Sequence, residues 1–371
     1  MTTTAVETRR RPGTYLVLLA LIAALNVVGL VMVLSASSVE ALHEEGSSWR
    51  YFNRQVVWVA LGAVVLALTL RVDYRQWRRW TGLLLLGSFL LLVLVLVPGV
   101  GITVNGATRW LGWGPLGIQP SEIAKLALLL WTANLMARRE RYVADPRLTL
   151  VPTVLVLGVF AGLVLAQPNL GTTLVLGSIV VVVLFVAGVP LRPLGATVGL
   201  GAVAATALAL GAGYRRARLT AFLDPWADPG NTGYQTIQSL VGIASGGLAG
   251  TGLGASRAKW GFLPYAHTDF IFAVISEELG LIGGVLVVGL FVALGVLGLR
   301  AALLAPDRFG MLVAAGITAW FLVQAFVNIG AVIGVLPITG VPLPFVSFGG
   351  SSLLVGMAAA GVLLNVARQA G

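Results

Sequence analysis

The chain has 371 residues, 58% of them hydrophobic and 10% charged, with a formal net charge of +10 and no cysteine. A soluble domain carries roughly 25% charged residues, so this composition cannot coat a water-soluble fold and places the chain in lipid. The missing cysteines exclude a disulfide framework, a thiol nucleophile and a Cys-ligated zinc or iron–sulfur centre. The basic excess does not point to nucleic acid, because 22 of the 24 basic residues are Arg, set in short clusters between long apolar runs.

A bilayer core of about 30 Å takes about 20 apolar residues per helix. Ten such runs occur, near 14–36, 54–70, 81–98, 119–137, 148–166, 170–188, 194–213, 270–299, 309–332 and 350–367. The first follows Arg9, Arg10 and Arg11 in the manner of a secretory signal. Its apolar stretch exceeds the roughly 7–15 residues of a signal, so it reads as a retained helix. An N-terminus inside the cell places 15 basic residues on the cytoplasmic side and 8 on the other, with Lys125 within a helix. That bias predicts an all-α integral membrane protein of about ten transmembrane helices with both termini cytoplasmic. Residues 1–13 then form a cytoplasmic tail, and 1–371 a single membrane-embedded domain. The seventh run is so rich in Gly and Ala that close packing against neighbouring helices is expected.

Between the seventh and eighth runs lies a long extracytoplasmic loop, 214–269, which holds five of the eight outer cations. A loop of this length is usually functional. Its apolar piece at 235–249 suggests a re-entrant or interfacial helix.

Charge inside a bilayer is a functional clue, since an Asp, Lys or Arg at helix centre costs about 2.5–3.5 kcal/mol on insertion scales. Glu122 and Lys125, three apart in QPSEIAKLALLL, share one face of the fourth helix, where they neutralise each other as a structural ion pair or contact substrate. Pro120 and Ser121 mark the helix start, with Glu122 in the first turn. Glu277 and Glu278 point about 100° apart on the eighth helix, so they should face different partners, at least one of them an Arg, a Lys or a wet cavity.

Asp269 stands at the outer mouth of the eighth helix, after His267 and Thr268. It either caps the helix, a job Thr268 could do alone, or is free for catalysis. With two histidines in the chain, a His-rich metal site is excluded. Arg215, Arg216, Arg218, Arg257 and Lys259 sit on the face that should be poor in positive charge; they suit a diphosphate or an anionic headgroup, or they snorkel to phospholipid. The glycine run SGGLAGTGLG at 245–254 is no phosphate-binding motif, for it follows no strand and lacks a Lys-Ser or Lys-Thr; a flexible or tightly packed turn is its expected use. In the last outer segment, 336–352, Ser347, Ser351 and Ser352 could bind sugar or phosphate oxygens or cap the tenth helix.

The segments NGATRWLGWGPLGIQPSEIAKLAL, QPNLGTTLV, FLDPWADPGNTGYQTIQSL, GFLPYAHTDFIFAVISEELGLIGG and LPITGVPLPFVSFGGSSLL resemble the SEDS family (shape, elongation, division and sporulation proteins), from the third helix to the last. AHTDFIFAVISEELG and PFVSFGGSSLL look more like FtsW than RodA. The resemblance implies a peptidoglycan glycosyltransferase that polymerises lipid II in the bacterial cytoplasmic membrane, for division or elongation. It maps the family's essential acid onto Asp269 and its conserved acid–lysine pair onto Glu122 and Lys125. Asn169 stands where Asp is more usual, which argues against a catalytic job there.

The expected mechanism has Asp269 as base, with His267 beside it, and the five cations opposite the leaving diphosphate. A divalent cation, magnesium or manganese, could assist; no organic cofactor is expected. The expected partners are lipid II, lipid-linked glycan, membrane lipids and a class B penicillin-binding protein. Two rival classes are a lipid II flippase, which should show duplicated halves with Gly/Pro-interrupted helices and shows no convincing duplication, and a non-enzymatic scaffold, which would not need Asp269.

Overall fold

The computed structural model describes residues 13–104, 106–113, 116–211 and 213–370. All ten apolar runs are helices. In chain order they are α1 (Gly13–Glu45), α2 (Arg50–Arg71), α3 (Trp77–Val95), α4 (Pro120–Arg138), α5 (Leu150–Ala166), α6 (Leu170–Val186) and α7 (Leu191–Gly211). The long loop contributes α8 (Gly213–Leu223) and α9 (Tyr234–Gly246), and the last three runs are α10 (Ile271–Leu303), α11 (Arg308–Val332) and α12 (Gly350–Gln369). Helix α9 falls on the apolar piece expected within the loop. Seven of the ten (α1, α2, α3, α7, α10, α11 and α12, α3 with the turn before it) are long and apolar enough to cross a membrane.

Helices α11 and α12 are the most buried of these seven and form the middle of the bundle with α4 and α6. Contact is close because small residues line the crossings: Gly361 of α12 faces the Leu66 carbonyl of α2 so tightly that a Cβ there would stand 2.6 Å from it.

The mostly helical fold carries one small sheet: between α3 and α4 the described residues form a three-stranded antiparallel meander, β1 (Ile102–Val104), β2 (Ala107–Trp113) and β3 (Leu116–Ile118), in the order β1-β2-β3. Its outer strands are three residues long, too short for an alternating pattern to stand out beside the apolar runs. The expected close packing of the seventh run is corrected, for α7 is hardly packed at all: Leu191, Leu200 and Val203 are 68%, 71% and 68% exposed. Small residues permit close approach but do not drive it, and the apolar helix can face lipid instead.

Helix α10 breaks at Gly280 (φ 69°, ψ −164°). A break leaves main-chain groups without helical partners, which hydrocarbon cannot satisfy. The glycine run supplies them. Thr251 N donates to Glu277 O (3.0 Å) and Gly252 N to Glu278 O (3.0 Å), while Leu281 N donates to Gly247 O (2.9 Å) and Ile282 N to Leu248 O (3.3 Å). The tightly packed turn expected at 245–254 is therefore a splint for a discontinuous helix.

Candidate active site

A cavity of about 980 Å³ opens where five connections converge: α1–α2 (Glu40, Tyr51), the meander (Arg109, Trp110), α5–α6 (Pro168, Asn169), the segments around α8 and before α10 (Arg218, His267, Asp269), and α11–α12 (Thr339, Ser352). Every one of these connections lies on the outer side in the charge-based topology. None of the inner connections lines it.

Asp269 is presented by a tight turn. Tyr265 adopts φ 60°, and its carbonyl accepts from Thr268 N (3.1 Å) and Phe270 N (3.3 Å). The cap position of α10 is Phe270, with no side-chain cap, and Thr268 Oγ1 donates back to Tyr265 O (3.2 Å). Asp269 is thus not spent on capping. The carbonyls of three successive residues are pinned: Phe348 N donates to His267 O (3.0 Å), Ser347 Oγ to Thr268 O (2.6 Å) and Asn328 Nδ2 to Asp269 O (2.8 Å). Burial pushes the Asp269 carboxyl up to about 6, against the opposing pull of Arg218, His267 and Arg109.

The cations near this carboxylate come from separate elements. Arg109, on β2, donates Nε to Gln167 O (2.8 Å) and a second guanidinium N–H to Pro168 O. Arg218, on α8, donates to Ile338 O (3.3 Å). His267 Nδ1 lies 3.0 Å from Glu40 Oε2, its ring 4.7 Å from that of Tyr51 and 5.6 Å from that of Phe348.

The structure does not gather the five-cation cluster. Of the four whose side chains are described, Arg218 alone reaches the cavity. Arg216 is exposed outside it, and the side chain of Arg215 lies outside the described residues. Arg257 is exposed away from the cavity, and Lys259 is buried with its ammonium on Gly254 O. Residues 256–258 are instead held by the acids of α10. Glu277 accepts from Ser256 Oγ (2.5 Å), Arg257 N (2.8 Å) and Ala258 N (3.3 Å). Glu278 accepts from Ser35 Oγ (2.6 and 2.8 Å) and Ser256 N (3.3 Å). The expectation of different partners, at least one an Arg, a Lys or a wet cavity, is corrected: Ser256 serves both acids, and their partners here are hydroxyls and main-chain amides.

Ser347 and Ser351 are likewise engaged in structure. Ser347 Oγ also accepts from Leu343 N (2.8 Å), and Ser351 Oγ accepts from Gln119 N (3.0 Å) and donates to Gly117 O (2.9 Å). Of the three serines, Ser352 is the one on the cavity wall. Glu122 and Lys125 pair at 2.8 Å, and Lys125 Nζ also donates to Gln324 Oε1 (3.0 Å) and lies 4.9 Å from the Trp320 ring centre. Glu122 lines the cavity too. Asn169 caps α6 by accepting from Thr172 N (3.1 Å), a role an amide fills as well as a carboxylate.

Sequence reasoning missed Glu40, Tyr51 and Arg109. Arg109 lies inside one of the resembling segments, NGATRWLG, so its signal was present; Glu40 sits at the end of an apolar helix with none.

The sequence model of the FtsW, RodA and SpoVE family, described as cell cycle protein, matches residues 15–371. The chain belongs to that family. It is 42% identical over 354 residues to a probable peptidoglycan glycosyltransferase FtsW of Geobacter metallireducens, covering 95% of this chain and 94% of the relative. It is 43% identical to the stage V sporulation protein E of Bacillus subtilis, covering 96% and 97%. A chain solved in a study of how a peptidoglycan synthase complex coordinates polymerization and crosslinking superposes with a TM-score of 0.79 at 34% identity, covering 96% and 98%. This FtsW, RodA and SpoVE family member is a multi-pass protein of the bacterial cytoplasmic membrane.

Proposed function

We propose that Asp269 is the general base of a glycosyl transfer that polymerises lipid II at the outer face of the membrane. The chain is a peptidoglycan glycosyltransferase, as its relatives are named. What supports the assignment of the base is an uncapped carboxylate, pushed up to about 6 by burial, in a cavity whose connections the charge-based topology puts outside. A base works best with a pKa near the operating pH.

Asp269 takes the proton of the 4-hydroxyl on the incoming lipid II sugar. The freed oxygen attacks the anomeric carbon of the lipid-linked glycan, and the bond from that carbon to the lipid diphosphate breaks with inversion. Arg109 and Arg218 face the growing negative charge on the departing diphosphate. Their main-chain hydrogen bonds hold the guanidinium groups in place beforehand. Leu170, Leu174 and Leu219 give the cavity an apolar wall suited to the lipid tails.

Among the described residues no three His, Asp or Glu side chains group to hold a metal. A magnesium or manganese ion, which keeps several waters and binds substrate phosphates, would enter with the diphosphate. Ten crossings with both termini cytoplasmic bring every cavity-lining connection to one face. A crosslinking partner, a class B penicillin-binding protein, fits a polymerase whose structural relative belongs to a synthase complex.

Purified protein with that partner and lipid II should form glycan. Asp269→Ala and Asp269→Asn should reduce this by about 10²–10⁴-fold while the protein stays folded. Retained polymerisation in either variant removes Asp269 as the base.

A further inference from the structure

Beside the large cavity, sharing Asp269 and Thr339 with it, a second cavity of about 10 Å³ is lined by apolar groups and by three polar residues: Asp269, Asn328 and Thr339. A volume of that order admits one water, provided two to four polar partners surround it. Asn328, on α11, is 2% exposed. Its Nδ2 donates to two carbonyls, Asp269 O and Val341 O, both at 2.8 Å. That pair of acceptors settles the amide's orientation, since the flipped form would set Oδ1 against two carbonyl oxygens. Asn328 Oδ1 and Thr339 Oγ1 are both buried without a protein partner. Asp269, Thr339 and Gly340 line both cavities, and a Cβ on Gly340 would stand 3.6 Å from Asp269 Oδ2, so the carboxylate lies against this shared segment.

We infer that Asn328 and Thr339 hold a single water against the Asp269 carboxylate, and that through it they act as positioning residues for the base. One water hydrogen goes to Asn328 Oδ1, the other to the Asp269 carboxylate, and the Thr339 hydroxyl donates to the water oxygen. The contact favours the charged form of Asp269 and turns its free oxygen to the substrate side. It adds to the pull of Arg218, Arg109 and His267, the charged groups felt by this carboxylate, and works against burial. Glu122 and Glu40, the other acids on the large cavity, are paired with Lys125 and His267.

The inference rests on the reading of Asp269 as base, so its test needs a readout independent of turnover. The protonation of Asp269 can be followed by infrared difference spectroscopy, with the Asp269→Asn protein subtracted to isolate its carboxyl band. Thr339→Val removes one hydroxyl that makes no protein hydrogen bond and keeps the side-chain volume. It should raise the Asp269 midpoint by about 0.5–1 pH unit, and lower kcat on the acid side of the pH profile about three- to tenfold with KM unchanged. Thr339→Ser should restore both. An unmoved carboxyl midpoint in Thr339→Val, or a rise in KM with kcat intact, overturns the inference. A shifted midpoint in a protein whose turnover ignores it leaves the water in place and removes Asp269 as base.

Discussion

Gly250 and Gly280 lie backbone to backbone at the break in α10: a Cβ on Gly250 would stand 2.7 Å from Gly280 N and closer still to Glu278 O. Both have positive φ, 84° and 69°. The loop can splint the helix only because neither residue has a side chain. Gly250→Ala should therefore undock the splint and expose orphaned main-chain groups, lowering the unfolding temperature in detergent by several degrees. Gly247→Ala, also at positive φ (55°) but with nothing within 4 Å of its Cβ, should cost only the local strain of about 1–2 kcal/mol. Equal losses in the two variants would refute the splint.

Glu122 and Lys125 are 3% and 1% exposed, so removing one partner leaves a charge in the bundle interior. Glu122→Gln should destabilise by roughly 3–5 kcal/mol, whereas Glu122→Gln with Lys125→Met should recover most of it. Thermal unfolding of the two proteins decides this. No recovery in the double variant would mean that Glu122 matters as a wall of the cavity and not as a counter-charge.

What could be read from the sequence follows from the range of the interactions involved. Apolar runs long enough for lipid are local, and all ten became helices; so did the i, i+3 pair Glu122–Lys125 and the apolar piece that forms α9. Asp269 stood out because a carboxylate at a helix mouth is conspicuous beside so few charges. The partners of that carboxylate were not legible. Arg109 reaches it from a strand more than 150 residues earlier, and Glu40 comes in from the end of α1, while Arg257 and Lys259, close in sequence, are turned away. Neighbourhood along the chain misled for Glu277 and Glu278 as well. The 100° between them separates their partners only if nothing wraps around the helix, and Ser256 does.

The raised pKa of Asp269 carries a sign. Its folded value, about 6, exceeds its ordinary 3.8, so the folded state binds the proton more tightly. Stability therefore falls as pH rises from about 4 through about 6, and the penalty is complete above that window. Asp269→Asn cannot carry the charge. At pH 7.5 it should unfold at the same temperature as the parent or roughly 1–3 °C higher, and at pH 4 that advantage should vanish. The polymerisation rate of the parent should fall on the acid side of about 6 and be flat above it. A variant less stable than the parent at pH 7.5 would show that the carboxylate is a structural anchor.

The split of the outer cations gives the sharpest contrast. Arg109 and Arg218 line the cavity, whereas Arg257 is exposed away from it and its segment is held by main-chain amides on Glu277. Arg109→Ala and Arg218→Ala should each lower kcat for lipid II polymerisation, by up to about 10²–10³-fold if the group meets charge that develops only in the transition state. Arg109→Lys should rescue poorly, because one ammonium cannot reproduce a planar guanidinium that spans Gln167 O and Pro168 O. Arg257→Ala should stay within about threefold of the parent, since an exposed side chain remote from the reacting atoms contributes little. Measured side by side with the partner protein present, comparable losses at Arg257 and Arg109 would return the diphosphate to the long loop's cation cluster and take it away from the meander.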